Sequence, residues 1–464
     1  MHEPHVHTAQ GEIKGAFVDG IWKFQGVPYA RTTAGKNRFC PPQAVAPWEG
    51  VRDATHRAPI APQGPSDLEA TMGVERHPYS EECLTLTINT PALDGRLPVA
   101  VWFHGGANIS GAGNLDWYDG AALARRGNIV VVGVNFRLAA FGFLYHPQVN
   151  TENLSILDQI AALRWVQENI AAFGGDPGRV TIFGQSAGAN AIVHMMALPQ
   201  TEGLFQSVIL ESPSIGRANH VPEDAVRIAE CLMGYLGVDP KDPDVKGKMQ
   251  AASIESILAA TDACFADMGR EFGGMLFKPV KPEWNTPEAT AEAAAREAVR
   301  RHLNIVIGTT ADEMHAFVQP TDDRQELAVR VAQFERYDKP DDLFARLAAH
   351  GSCPVWKYHF EWRAPDSKFD ACHTIELPFV FGTLKAWEGS PMLGTAAAAD
   401  KERLTDTMQS YWCRFFTSGA MDETLWPRFS SQRPVHKIFD NVDNSCREIV
   451  FERPDENSPK GRQS

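Results

Sequence analysis

One glycine-flanked serine, in the segment Gly184-Gln-Ser-Ala-Gly188, constrains the fold of this chain more than any other feature. The apolar run at residues 179–183 precedes it and predicts a strand, whereas residues 187–197 predict a helix. A tight turn between a strand and a helix brings backbone segments close together, so the flanking positions favour glycine. Such a turn presents Ser186 at the strand end, above the N–H groups and the favourable dipole of the helix N-terminus. Ser186 is therefore the candidate nucleophile.

The rest of the chain has the apolar pattern of an α/β protein. Short apolar runs alternate with longer helix-period stretches, which predicts a mostly parallel sheet with helices on both faces. The runs at residues 99–104 and 129–136 are apolar almost throughout, as in strands that are buried on both faces. Between Leu157 and Phe173, apolar residues recur every three or four positions and mark one face of a helix. The following Gly174-Gly-Asp-Pro177 predicts the end of that helix.

No linker, repeat or low-complexity tract divides the 464 residues of the sequence. We expect one domain over residues 1–453, with a helix-rich insertion at about 215–301. A later strand is predicted at residues 355–360 and a later helix at residues 402–416. Residues 454–464 are predicted to form a disordered tail.

Composition excludes several classes of partner. A net charge of −14 argues against nucleic acid, which requires a basic face to neutralise phosphates. No run approaches the roughly 20 apolar residues of a membrane span, and the N-terminus lacks the pattern of a signal peptide. The eight cysteines are scattered without CxxC spacing, which predicts a reducing, cytoplasmic setting. We expect no cofactor and no metal, and the oligomeric state stays open.

A second candidate element is His104-Gly-Gly-Ala107, which directly follows an apolar run. Adjacent glycines allow backbone N–H groups to face a bound carbonyl oxygen without interference from side chains. A simple turn at the end of a strand is the alternative interpretation. The serine motif downstream favours an oxyanion loop.

These two motifs, with others in the same order, resemble the type-B carboxylesterases. That family includes bacterial p-nitrobenzyl esterases, mammalian carboxylesterases and cholinesterases. The similarity extends from about Gly11 to Glu452 and implies an α/β-hydrolase fold that cleaves esters through an acyl-enzyme on Ser186. The matching segments are residues 24–30, 80–84, 104–107, 135–137, 157–159, 165–177, 184–188, 308–313 and 373–382.

The resemblance also implies the partners of Ser186, which the residue pattern alone leaves open among fifteen histidines and many acids. The implied acid is Glu313 and the implied base is His373, in the order serine, acid, histidine that this fold uses. Asp312 is the alternative acid. The implied oxyanion donors are the N–H groups of three residues, namely Gly106, Ala107 and Ala187.

Further residues are implied to support this site rather than to react. Gln185, Ser214 and Glu376 are placed behind the nucleophile and the histidine. Two ion pairs, Arg137 with Asp158 and Arg38 with Glu81, are implied to hold the oxyanion loop and the serine turn in register.

Two of the positions at which the chain departs from the family bear on its substrates. Gln185 stands where many relatives carry glutamate, which weakens the expected attraction for cationic substrates, and Asn108 replaces a common aromatic residue. The expected activity is hydrolysis of small to medium uncharged esters. Amide or carbamate hydrolysis with the same triad is the alternative, and a non-catalytic binding role is disfavoured because all three triad residues are present.

Overall fold

A computed structural model of the protein describes residues 4–440 and 444–455. The predicted disordered tail lies outside the described residues from position 456 onward. The strands are β1 (His5–Thr8), β2 (Gly11–Lys14), β3 (Ala16–Val18), β4 (Ile21–Pro28), β5 (Val51–Asp53), β6 (Thr85–Thr90), β7 (Leu97–Phe103), β8 (Val130–Val134), β9 (Gly175–Gln185), β10 (Ser207–Glu211), β11 (Asn304–Thr310), β12 (Val355–Phe360), β13 (Val435–Phe439) and β14 (Cys446–Glu448). The helices are α1 (Glu69–Met72), α2 (Ala121–Gly127), α3 (Ala139–Phe143), α4 (Leu154–Asn169), α5 (Ala187–Ala197), α6 (Pro222–Tyr235), α7 (Val245–Ala251), α8 (Ile254–Met268), α9 (Pro287–Arg301), α10 (Asp323–Gln333), α11 (Lys339–His350), α12 (Leu377–Phe381) and α13 (Ala398–Ser418).

The central element is an 11-stranded sheet, which is mostly parallel as predicted. Its strand order is β14-β13-β12-β11-β10-β9-β7-β8-β6-β4-β3. The strands from β13 to β8 in that order are parallel to one another. The flanking strands β14, β6, β4 and β3 pair antiparallel to their neighbours. The carboxyl ends of seven adjacent strands therefore meet at one edge, where α/β sheets place their binding sites.

Both faces of the sheet are buried, which explains why the central strands lack alternation. On β7, Val101 and Phe103 belong to one apolar core, whereas Ala100 and Trp102 belong to another. The first core is completed by α4, α5, α9 and α11. The second core is completed by α2, α12 and α13. Each central strand therefore needs apolar residues at successive positions.

The region between β10 and β11 is helical, as the composition of residues 215–301 predicts. Its helices α6, α7 and α8 share a third apolar core with α3, separate from the two cores on the sheet. Helix α9 instead packs into the first core, against α5 and α11. The division into one domain with an insertion stays a prediction. Within residues 4–440 and 444–455, no helix is both long and apolar enough to cross a membrane.

Candidate active site

The serine turn joins β9 to α5. Ser186 has φ 56° and ψ −122°, a backbone conformation that non-glycine residues seldom adopt. The turn is held by the Ser186 N–H, which donates to the Glu211 carbonyl at 2.9 Å. A Cβ on Gly188 would lie 2.0 Å from the carbonyl oxygen of Phe103 at the end of β7. Glycine is required there because the neighbouring strand passes directly against the turn.

Glu313 and His373 form a fully buried pair. The His373 Nδ1–H donates to Glu313 Oε2 at 2.5 Å, and both side chains are 0% exposed. The other carboxylate oxygen of Glu313 accepts the Thr310 N–H at 2.7 Å, which fixes its orientation. Asp312, the alternative acid, instead accepts from Arg363 Nε at 3.0 Å. Only Glu313 of the two contacts the histidine.

The other ring nitrogen of His373 faces the serine turn. The side-chain amide of Gln185 donates to His373 Nε2 at 3.1 Å. Among the described residues, no hydrogen bond joins Ser186 Oγ to the imidazole. A Cβ on Gly105 would lie 2.7 Å from Gln185 Oε1 and 3.1 Å from Ser186 Cβ, so the oxyanion loop leaves space for both. With its proton on Nδ1 and a lone pair on Nε2, His373 has the tautomer of a general base.

The loop after β7 presents unpaired N–H groups beside the serine. Gly106 and Ala107 have φ 112° and 53°, and the carbonyl of Gly106 accepts from Ile109 and Ser110 at 2.9 and 3.0 Å. In the part of the chain that the structure describes, no acceptor is found for the N–H of Gly106, Ala107 or Ala187. Unpaired donors near a nucleophile are the requirement for an oxyanion hole.

His104 orders this loop. Its Nδ1–H donates to the Gly105 carbonyl at 2.7 Å, and its ring stacks on Phe136 with centroids 4.3 Å apart. Burial lowers the pKa of His104 to about 4, so its imidazole is neutral at physiological pH. His104 therefore stabilises the loop without bringing a charge to the site.

Two cavities are lined by the sequence neighbours of Ser186, one by Gln185 and the other by Ala187. The first, which we call the histidine-side cavity, is lined in part by Gly106, Gln185 and Thr374. The second, which we call the α5-side cavity, is the narrower of the two and is lined in part by Asn108 and Ala187. Thr374 directly follows His373 in the sequence, and Gln185 contacts the imidazole of His373. The histidine-side cavity therefore lies next to His373.

Both implied ion pairs are formed and buried. Asp158 accepts from Arg137 Nε and Nη2 at 2.7 and 2.6 Å, and Glu81 accepts from Arg38 in the same bidentate manner at 2.6 and 2.5 Å. Arg137 also donates to the Cys40 carbonyl at 2.8 Å. Each arginine thereby joins segments that are far apart in sequence. Arg137 lies in the segment that follows β8, and Asp158 lies in α4.

The supporting residues differ in what they contact. Ser214 accepts from Asn190 of α5 at 3.2 Å, behind the serine turn. Glu376 is fully buried, and neither of its carboxyl oxygens has a partner among the described residues. Burial, together with nearby Glu211 and Glu313, raises the pKa of Glu376 well above its usual range. Burial therefore disfavours the charged form of Glu376.

Glu211 is a further buried acid, and no motif in the sequence marks it. Its Oε1 accepts from Trp412 Nε1 at 2.7 Å, while its Oε2 has no partner among the described residues. Burial raises the pKa of Glu211 to about 8. The sequence offers one indication of this buried acid, because Glu211 is the acidic last residue of the apolar run that forms β10. Glu211 is also one of the charges that raise the pKa of Glu376, so the two buried acids lie near each other and form an acid pair.

This pair predicts a pH-dependent stability. Because the pKa of Glu211 rises from 4.5 to about 8 on folding, its contribution is fully present below pH 4.5 and is lost as the pH rises to about 8. Within that window one such group changes the free energy of unfolding by at most about 1.4 kcal/mol per pH unit. We expect Glu211→Gln, which retains the acceptor for Trp412, to match the wild type at pH 5 and to exceed it at pH 8.5. Urea denaturation at both values measures the difference.

The control for that series is Glu292→Gln, which removes an exposed acid on α9. It should retain the wild-type decline between pH 5 and pH 8.5. Parallel declines for the wild type and Glu211→Gln would contradict the assignment of a neutral Glu211.

Comparisons with known proteins agree with this geometry. The model of the Carboxylesterase family matches residues 2–344. The para-nitrobenzyl esterase of Bacillus subtilis is 36% identical, over 94% of each chain. The cocaine esterase of Homo sapiens is 32% identical, over 93% of this chain and 86% of that protein. Among solved structures, a thermophilic PNB esterase superposes with a TM-score of 0.83 at 33% identity and covers 98% of both chains.

The resemblance seen in the motifs thus extends over nearly the whole chain, in sequence and in structure. Structural neighbours with more than 30% identity and near-complete coverage confirm the predicted α/β-hydrolase fold. The chain therefore belongs to the carboxylesterase family and hydrolyses carboxylic esters of small molecules.

Proposed function

We propose that ester hydrolysis proceeds through an acyl-enzyme on Ser186, with His373 as the base and Glu313 as the acid that orients it. The observation that supports this most directly is the contact of His373 Nε2 with the side chain of Gln185, the neighbour of Ser186. This contact brings the basic nitrogen to the serine turn. The buried bond between His373 Nδ1 and Glu313 determines which nitrogen is basic.

In the proposed reaction, Ser186 Oγ attacks the ester carbonyl while His373 Nε2 accepts its proton. The N–H groups of Gly106, Ala107 and Ala187 stabilise the oxyanion, and each such donor contributes roughly 3 kcal/mol in the transition state. His373 then protonates the departing alcohol. Water repeats the sequence on the acyl-enzyme and regenerates Ser186.

Gln185 has to move for this reaction to start. Its amide occupies the lone pair of His373 Nε2 that must accept the serine proton. Catalytic hydrogen bonds in ligand-free enzymes are often long or misaligned and tighten when substrate binds. We infer that a bound ester displaces the Gln185 amide from the imidazole and allows Ser186 Oγ to replace it.

The geometry also distinguishes the two halves of the ester. His373 protonates the alcohol, so the alcohol belongs in the histidine-side cavity, beside Gln185 and Thr374. The acyl group then extends towards the α5-side cavity, beside Ala187. Gln185 is uncharged, so it gives no electrostatic attraction to a cationic alcohol, which favours esters with an uncharged alcohol. Amide or carbamate hydrolysis is not favoured over this function.

Stoichiometric labelling tests the assignment of the nucleophile. We expect a fluorinated organophosphate to add one phosphoryl group per chain, at Ser186, with loss of ester hydrolysis in proportion. Peptide mass spectrometry locates the adduct. Ser110→Ala, a change in the histidine-side cavity, should leave the adduct at Ser186, whereas Ser186→Ala should abolish it. An adduct at another residue of the wild type would exclude Ser186 as the nucleophile.

We also propose a cytoplasmic location. Support comes from the scattered spacing of the eight cysteines, which is typical of chains that keep their thiols reduced. Cell fractionation of the native host, with a periplasmic and a cytoplasmic marker enzyme, tests this. Recovery with the periplasmic marker would contradict it.

A further inference from the structure

Two cationic side chains line the α5-side cavity, Arg217 and Lys278. Arg217 lies after β10, and Lys278 lies in the segment that follows α8. Arg217 donates to the Gly273 carbonyl at 3.1 Å. Among the described residues, no carboxylate lies within 4 Å of either cationic group. These two charges are therefore not neutralised by ion pairs with residues 4–440 or 444–455.

The two cations are also close enough to oppose each other. Burial lowers the pKa of Lys278 to about 8, and the charge of Arg217 lowers it further than burial alone would, with only weak compensation from Asp224. Burial and the nearby guanidinium of Arg336 lower the pKa of Arg217. Like charges that share a partly desolvated site repel, and a bound anion relieves that repulsion. The chain as a whole carries a net charge of −14, so the positive charge at this site does not follow from its composition.

The remaining lining fits an acyl chain. Ala187 places the cavity beside one of the proposed oxyanion donors, so the cavity begins where the acyl group is attached. Phe143, Ile156 and Met275 contribute apolar surface that suits methylene groups. Asn108 is tied by its side-chain amide to the Phe277 carbonyl at 2.9 Å, which connects the oxyanion loop with the segment that carries Lys278. Apolar walls with two cations suit a chain that ends in a negative group.

We propose that the α5-side cavity is an acyl subsite for acyl groups that end in a carboxylate, which Arg217 and Lys278 recognise. The preferred substrates of this subsite are half-esters of dicarboxylic acids. The reacting ester group is uncharged, and the negative charge lies at the far end of the acyl chain. The proposal rests on the proposed function, in which the acyl group is carried by Ser186.

Matched esters test this subsite. The p-nitrophenyl half-ester of adipic acid and the p-nitrophenyl ester of hexanoic acid have acyl chains of equal length and the same leaving group. The measured quantity is the ratio of kcat/KM for the adipate ester to kcat/KM for the hexanoate ester. We expect Arg217→Gln and Lys278→Gln each to lower this ratio by about tenfold or more, since hydrogen bonds to charged groups contribute strongly. Arg270→Gln removes an exposed arginine from the same region and should leave the ratio unchanged.

A third substrate separates recognition of the acyl group from a general attraction of anions. In the hexanoate ester of 4-hydroxybenzoate, the carboxylate belongs to the leaving alcohol. We expect neither variant to lower kcat/KM for this ester relative to kcat/KM for the p-nitrophenyl ester of hexanoic acid. Unchanged adipate-to-hexanoate ratios in both variants, or equal losses with the 4-hydroxybenzoate ester, would overturn the acyl subsite. Wild-type protein that fails to hydrolyse the hexanoate ester would instead overturn the proposed function.

Discussion

Replacing Ser186 with alanine should lower kcat for p-nitrophenyl butyrate by at least about 10⁴-fold, the scale of loss when the nucleophile of a triad is removed. The triad acts as a unit, because His373 and Glu313 have no role in acyl transfer without a hydroxyl to activate. The fold should persist, since within the described residues Ser186 Oγ makes no hydrogen bond that the variant would lose. Initial rates measure the loss of activity, and circular dichroism with a thermal melt measures the fold.

A matched control is Ser410→Ala, which removes an exposed hydroxyl from α13 and should retain wild-type kcat. Turnover by Ser186→Ala within about tenfold of the wild type would refute the assignment of the nucleophile. A melt shifted by many degrees would indicate that the loss of activity reflects unfolding, and active-site labelling of the wild type would then decide the nucleophile.

The second large effect concerns stability. Asp158→Leu should lower the free energy of unfolding by roughly 3–5 kcal/mol, because it leaves the guanidinium of Arg137 buried without its counter-charge. Arginine cannot escape this cost by losing its proton. Both side chains are at most 2% exposed, so water cannot solvate the remaining charge. Urea denaturation, followed by tryptophan fluorescence, measures the change.

The double variant Arg137→Met, Asp158→Leu separates two contributions to the loss of stability, the unpaired charge and the altered packing. It should recover most of the stability that Asp158→Leu loses, since replacing both partners of a buried pair by apolar residues is often close to neutral. Asp400→Leu breaks an exposed pair with Arg403 on α13 and should cost less than about 1 kcal/mol. Equal losses for Asp158→Leu and Asp400→Leu would contradict the role assigned to the buried pair.

The elements that local pattern determines were predicted well. Strand β12 and helix α5 occupy the predicted ranges, because an apolar run and a glycine-bounded turn are visible over a few residues. Helix α4 begins three residues before the predicted position and continues as a short 3-10 segment to Phe173, where Gly174 ends it with φ 77°. Helix α13 is longer than predicted at both ends, since exposed helix ends lack an apolar signature.

The relations between distant residues were not readable from local pattern. Glu313 and His373 are 60 positions apart, and only the family resemblance paired them. The contact of Gln185 with His373, the acid pair of Glu211 with Glu376, and the cations of the α5-side cavity all depend on how strands and loops assemble. An isolated acid or arginine in a sequence does not reveal whether a partner lies nearby. Such groups are identified only once burial and neighbours are known.

The third apolar core, shared by α3 and α6–α8, supports one wall of the α5-side cavity. This core is separate from the two cores on the sheet. Sequence change in those helices alters the lining of that cavity, whereas the serine turn is held against β7 and β10 and retains its geometry. With the proposed acyl subsite and triad, selectivity and reactivity depend on separately packed parts of one chain. New substrate ranges can then arise within this scaffold by gradual repacking of the helices, without a period in which catalysis is lost.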